Sequence, residues 1–258
     1  MEAPTTALRQ CVAGKLVVRS HATRADMARA AAGDIAAAMR RLIATKGAIR
    51  LVFAAAPSQA EMLAALVATS GIDWARVTAF QMDEYVGLDA AAPQRFANWL
   101  DAHLFGWVPF GAVHLMAPEP DTARAARDYA ALLAAAPIDI VCLGIGVNGH
   151  IAFNDPPVAD FQDPADVKTV SLDEICRQQQ VDDGCFATRG DVPTHALTLT
   201  IPRLLRAEQL FCTVPGPLKR AAVAQTLHGP VTTGCPSSIL REHACCSLYL
   251  DADSDPDA

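Results

Sequence analysis

Short apolar runs recur along this chain, each followed by a stretch spaced for a helix, and that alternation limits the folds open to it. The run KLVVRS, Lys15 to Ser20, precedes an Ala-rich stretch from Thr23 to Thr45 in which Met27, Ile35, Met39, Leu42 and Ile43 recur at helical intervals. IRLVFAAA then reads as a buried strand, Pro57-Ser58 opens a helix through AEMLAALVAT, and VTAFQMDEYVGL reads as a strand ending in an acidic loop. PQRFANWLDAHLF predicts a helix, AVHLM a short strand, DTARAARDYAALLAAA a helix with Asp121 as N-cap, and PIDIVCLGIG a strongly buried strand. The final third adds strand candidates HALTLT, LFCTV and SLYLD, with the helix KRAAVAQTLHG between the last two. Nothing repeats, and the longest irregular section runs from Asn154 to Pro193.

Strands without polar alternation need both faces covered. The expected fold is therefore α/β: a doubly wound, mostly parallel sheet with helices on both faces, a Rossmann-like three-layer sandwich forming one domain over residues 1–258. Ligands in such folds lie beyond the carboxyl ends of the strands.

Charge and composition narrow the partners. A formal net charge of −7 argues against a nucleic-acid surface, which needs an excess of Lys and Arg, but leaves room for a small anionic substrate. The eight cysteines show no Cys-x-x-Cys spacing, so neither a disulfide framework nor a zinc site is expected, and buried thiols in a reducing cytoplasm are. MEAPTTALRQ lacks the pattern of a secretory leader, and no apolar run approaches the roughly 20 residues of a membrane helix. Walker A, Gly-x-Ser-x-Gly and His-Glu-x-x-His patterns are absent.

Three strand ends carry unusual side chains. Met82-Asp83-Glu84-Tyr85 clusters two carboxylates and a phenol; alone it reads as a solvated loop or an N-cap, but a carboxylate at a strand's carboxyl end points into the ligand crevice, where desolvation raises its pKa. Gly144-Ile145-Gly146-Val147-Asn148-Gly149-His150 matches G-x-G-x-x-G literally. A dinucleotide site would need a helix next and an acidic residue about 20 positions on. Pro156 and Pro157 occupy the helix position instead, so the glycines are expected to let the backbone approach a ligand and to aim Asn148 and His150. With Asn148 two residues before it and Asp155 five after, His150 has partners that could fix its tautomer and free one nitrogen for proton transfer. Ser58-Gln59 at a helix start and Lys219 near another form a candidate anion site, or else a simple N-cap and a surface amine.

Together these motifs resemble the glucosamine-6-phosphate deaminase family, within the group that includes the 6-phosphogluconolactonases. The similarity runs from about Ile49 to Ser254, strongest in FQMDEYVGL and LGIGVNGHIAFNDP and supported by VPTHALTLTIPRLL, VPGPLKRAAV and CPSSILREH…LYLD. Lactonases of the group carry Asp-Glu-Arg and Gly-His-Thr-Ala-Ser-Leu-Phe-Pro where this chain has Asp83-Glu84-Tyr85 and GHIAFNDP, which favours the deaminase side. The resemblance implies conversion of glucosamine 6-phosphate and water to fructose 6-phosphate and ammonia with no metal or organic cofactor, and the charge and the absence of apolar spans argue against nucleic-acid or membrane partners. It implies Asp83 as the base moving a proton between C2 and C1, His150 as the ring-opening group, Asn148 and Asp155 orienting His150, and Lys219 on the phosphate. Ser58, Gln59, Glu84, Gly149 and Arg177 complete the implied substrate contacts; Arg177 reads equally as a surface cation paired with Asp173 or Glu174.

The departures are specific. The family's Thr-Gly-Ser/Gly-Thr-Pro loop is here Ala54 to Gln59, Asp155 replaces a longer glutamate, and the segment LDEICRQQQVDDGCF has altered spacing where a phosphate-binding arginine is usual. The chain also ends soon after LYLD, so neither the allostery nor the hexamer of longer members is transferred, while a homo-oligomer stays open. A lactone hydrolase and a non-catalytic sugar-phosphate-binding relative are the alternatives.

Overall fold

The computed structural model describes residues 7–258; residues 1–6 of the N-terminal stretch read for a leader lie outside the described residues. A hairpin of β1 (Arg9–Ala13) and β2 (Leu16–His21) leads into α1 (Arg24–Lys46), where the Thr23 hydroxyl accepts the Asp26 N–H and Gly47, at φ 82°, closes the end. Then follow β3 (Ile49–Phe53), α2 (Ala60–Ala68), β4 (Val77–Gln81), β5 (Asp83–Tyr85), α3 (Phe96–Leu100), β6 (Ala112–His114), α4 (Thr122–Ala134) and β7 (Ile140–Leu143). The last third holds β8 (Val167–Ser171), α5 (Glu174–Asp182), β9 (His195–Leu199), α6 (Ile201–Leu205), β10 (Gln209–Val214), α7 (Arg220–His228) and β11 (Cys246–Asp251).

Eight strands form one sheet in the order β1-β2-β11-β10-β7-β3-β4-β6, parallel except at the β1–β2 hairpin. Apolar residues fill both sides of it, as the unbroken runs require. In β7, Ile140 and Cys142 pack with Met39, Leu63 and Phe53 on one face, while Val141 and Leu143 pack with Val52, Leu210 and Leu248 on the other. The doubly wound, mostly parallel sheet expected from the sequence is the fold observed. Among the described residues, no helix is long and apolar enough to cross a membrane.

The winding places the crevice. From β3 the chain steps outward through β4 to β6; from β7, which pairs β3 on its other side, it steps the opposite way through β10 to β11. The connections leaving β3 and β7 therefore diverge, and the gap between them opens above the carboxyl ends of these strands.

Several local expectations are corrected. VTAFQMDEYVGL is two strands, because the chain turns at Met82 and β5 joins a separate antiparallel sheet, β5-β9-β8. HALTLT is the centre of that small sheet and takes no part in the large one. The section from Asn154 to Pro193 contains β8 and α5, the latter capped by Asp173, whose carboxylate accepts the Cys176 N–H. The helix predicted over PQRFANWLDAHLF begins only at Phe96 and relaxes to a π turn at Asp101–Phe105. Pro57-Ser58 opens a 3-10 turn before α2, and the edge strand β1 has no counterpart among the expected elements.

Candidate active site

A cavity at the switch point is lined by Ala54–Ala56, Ser58 and Gln59 after β3, by Met82 and Asp83 after β4, by Gly144–Gly146 and His150 after β7, and by Lys219 after β10. The four connections that carried unusual side chains in the sequence thus converge. Helix α5 and its end add Gln179, Gln180 and Asp183 as a further wall, with Phe96, Ala152 and Phe153 completing it.

Within β5, neighbouring side chains go to opposite faces. Asp83 goes to the cavity: it is 6% exposed, and among the described residues no hydrogen bond reaches its carboxylate. Burial lifts its pKa well above the usual carboxylate range, and the negative charge of Glu84 lifts it further. Glu84 itself is fully buried and accepts the backbone N–H groups of Tyr85, Phe96 and Ala97 at 2.9, 3.0 and 3.0 Å, plus Gln81 Nε2 at 3.0 Å. It caps α3 and braces the turn beneath Asp83; it does not line the cavity, contrary to the substrate contact expected of it. Tyr85 lies among Phe96, Phe153 and Phe186 with its hydroxyl on Gln180 Oε1 at 2.8 Å.

His150 is 9% exposed. Its Nδ1 lies 2.8 Å from Asn148 Oδ1 and 2.8 Å from Asp155 Oδ1, while Asn148 Nδ2 donates to the same Asp155 oxygen at 2.9 Å. Two oxygen acceptors at Nδ1 place the ring proton there, leaving Nε2 without a protein partner among the described residues and free to exchange a proton with a ligand. The shorter carboxylate of Asp155 does reach His150. Burial acts to raise the Asp155 pKa, but the hydrogen bond and charge of His150 and the Asn148 amide outweigh it and hold the group below its usual value.

The glycines of the dinucleotide-like spelling serve this arrangement. A Cβ on Gly146 would lie 2.2 Å from His150 Cε1, and one on Gly144 would lie 2.8 Å from Gln59 Nε2. Gly149 sits at φ +83° against Cys235 and does not line the cavity, so its requirement is the turn and not the expected substrate contact. Ala152 also holds a positive φ, 49°, at the cavity wall.

Loop and base share one bracket. Thr198 of β9 is the register partner of Asp83, and its hydroxyl accepts the Phe153 N–H at 3.1 Å; Asn154 Nδ2 donates to Leu199 O at 2.9 Å. A single strand therefore fixes the spacing of Asp83 and His150.

Lys219 lines the same cavity, is 6% exposed, and among the described residues its ammonium makes no hydrogen bond or ion pair. Burial lowers its pKa, partly offset by the charge of Asp183. Ser58 lines the same space, whereas the Gln59 amide is spent on β10, donating to Thr213 O at 3.1 Å and accepting from Thr213 Oγ1 at 2.7 Å. Arg177 is turned away: Nη2 donates to the carbonyls of Arg189 and Val192 at 2.7 and 2.9 Å, so the expected phosphate contact is not formed here. Nor does it pair with Glu174, which Arg189 holds at 2.9 Å. Gln179, Gln180 and Asp183 escaped the sequence reading, although Asp173 followed by EICRQQQ is an N-cap signal that announces their helix. Among the described residues, His150, Asp155 and Cys176 form one grouping with metal-ligand chemistry, their donor atoms within 4.8 Å of one another; the first two are already engaged with each other.

Comparison with known proteins identifies the family and its fold. Residues 22–248 match the family model described as glucosamine-6-phosphate isomerases/6-phosphogluconolactonase. A glucosamine-6-phosphate deaminase of Streptococcus pneumoniae (strain 70585) is 35% identical over 191 residues, covering 73% of this chain and 78% of the relative. Among solved structures, a monomeric glucosamine-6-phosphate deaminase superposes with a TM-score of 0.84 at 24% identity over 92% of this chain and 98% of that one. A 6-phosphogluconolactonase from Thermotoga maritima gives 0.73 at 19% identity, over 92% and 99%. With the family model spanning nearly the whole described chain, this protein belongs to the glucosamine-6-phosphate isomerase/6-phosphogluconolactonase family.

Proposed function

We propose that this chain is a deaminating aldose–ketose isomerase that converts glucosamine 6-phosphate and water to fructose 6-phosphate and ammonia. The observation that carries this reading is the pair of groups on one cavity that can carry a proton: Asp83, buried, raised in pKa and unpartnered among the described residues, and His150, its Nδ1 held by Asn148 and Asp155 and its Nε2 without a partner among the described residues. His150 moves the proton that opens the sugar ring. Asp83 takes the C2 proton of the open aldehyde and returns it to C1 while O1 takes up a proton by way of His150. The amino lone pair then forms an iminium at C2, which water hydrolyses to the ketone, releasing ammonia and giving back the proton that O1 took up. Each transfer needs a group that can hold and surrender a proton: the Asp83 carboxylate, raised above its usual range by burial, and the Nε2 atom of the His150 imidazole. Lys219 and Ser58 receive the substrate's anionic end. Eight free thiols agree with a reducing, cytoplasmic setting.

Ammonia release from glucosamine 6-phosphate tests the reaction. Asp83→Asn is expected to lower kcat by about 10²–10⁴, the range for loss of a positioned acid–base group. An equally active variant would remove Asp83 from the role. Turnover confined to 6-phosphogluconolactone would replace the deaminase reading with the lactonase one, and tight sugar-phosphate binding without turnover would support a non-catalytic relative.

A further inference from the structure

The charges around the cavity do not add up to a site for a doubly charged anion. Among the described residues lining it, Lys219 is the one Lys or Arg, and Asp183 and Asp83 bring carboxylates to the same space. The arginine of α5 that could have added a second cation is bound to backbone carbonyls instead. Asp183 stands at the carboxyl end of α5, with its N–H on the carbonyls of Gln179 and Val181, so the negative end of the helix dipole adds to its charge. Its Oδ2 accepts Gln179 Nε2 at 3.2 Å, and Gln179 Oε1 accepts the Val147 N–H at 2.9 Å, which fixes the carboxylate relative to the loop that carries His150.

Lys219 and Asp183 act on each other electrostatically but form no direct ion pair. A ligand group placed between them meets a donor on one side and an acceptor on the other. A phosphomonoester dianion can accept from Lys219 but has no proton for Asp183. A monoprotonated phosphomonoester, or a sugar hydroxyl, satisfies both.

We infer that Asp183 is a specificity-determining residue, which sets the anionic end of this cavity to take a proton-bearing group of at most one negative charge in preference to a phosphomonoester dianion. The inference rests on the proposed reaction only in taking this end of the cavity as the phosphate end. The other ionisable groups facing this space are Lys219, Asp83 and His150, with Asp182 and Cys185 beside Asp183 on its own segment. All of them persist in Asp183→Asn, so that variant isolates the carboxylate.

Calorimetric titration of the full chain with sorbitol 6-phosphate, an open-chain phosphomonoester that cannot be deaminated, tests this at pH 5.5 and pH 8, on either side of a phosphomonoester's second pKa of about 6. The wild type is expected to bind at least about tenfold more tightly at the lower pH, and Asp183→Asn to gain at least about tenfold at pH 8 and lose most of the pH dependence. Sorbitol 6-sulfate, singly charged but without a proton, should bind the wild type weakly at both pH values and gain on Asp183→Asn. Asp183→Ser serves as a second variant should the amide perturb folding. Equal or tighter wild-type binding of the phosphate at pH 8, an unchanged pH 8 affinity in both variants, or no binding by any form would each overturn the inference. Binding is read without turnover, so a failed deaminase assay refutes the reaction and leaves this result standing or falling by itself.

Discussion

The Nδ1 atom of His150 and the Oδ1 atom of Asp155 lie 2.8 Å apart, with the carboxylate fully buried and its pKa held below the usual range. A carboxylate depressed in the folded state stabilises it at every pH above the unfolded value, and that stabilisation is lost as the pH falls through the folded value. The contribution of Asp155 should therefore be complete at neutral pH and fade below the normal carboxylate range near pH 4. Asp155→Asn is expected to destabilise the protein at pH 7 and to flatten this acid limb, as measured by urea unfolding across pH. It should also lower kcat more than it raises KM, because the imidazole loses its partner and not the ligand.

Gly146 is irreplaceable for a reason of space. An alanine Cβ would fall 2.2 Å from His150 Cε1, so the ring must move. Displacing a catalytic group by about 1 Å costs on the order of 100-fold in rate, and Gly146→Ala should lose at least that in kcat. The cavity-forming fold should survive, with thermal unfolding shifted far less than activity.

Glu84 stands next to the proposed base but acts on the backbone. Removing its side chain leaves three buried N–H groups without an acceptor, and Glu84→Ala is expected to cost about 3–5 kcal/mol in unfolding free energy. Glu84→Gln removes the charge that helps raise Asp83, so the acid limb of kcat/KM should move to lower pH. Burial is the larger cause, so the limb should remain above the usual carboxylate range.

Lys219 trades stability for binding. Its folded-state pKa is lowered, so its charge costs stability at neutral pH, and the cost vanishes as the pH rises towards the unfolded value. Lys219→Met is expected to stabilise the protein at pH 7 by about 0.5–2 kcal/mol while abolishing binding of a phosphomonoester. A thermal melt and a titration on one sample check both.

The large sheet was legible because its strands are buried on both faces and so contain few polar residues: β3, β7 and β10 stand out in any window of the sequence. Asp83, Asn148, His150 and Asp155 were legible because each follows such a strand within a short motif. The small sheet was not. Its strand β5 is three polar or aromatic residues whose partner is β9, far along the chain, and local spacing carries no trace of that pairing. The resemblance points to Arg177 in this segment, whereas α5 turns Gln179 and Gln180, with Asp183 at its end, inward; the helix phase, invisible until Asp173 is recognised as a cap, decides which residues face the cavity.

The bracket formed by β9 also governs when the enzyme becomes one. Asp83 and the loop bearing His150 are both made long before Thr198 and Leu199, the residues on which they dock. A nascent chain can already pair β3 with β4 and present Asp83 just beyond them, but nothing yet holds it at working distance from the imidazole. Competence should thus appear abruptly, late in synthesis, when the last third of the polypeptide closes over the first.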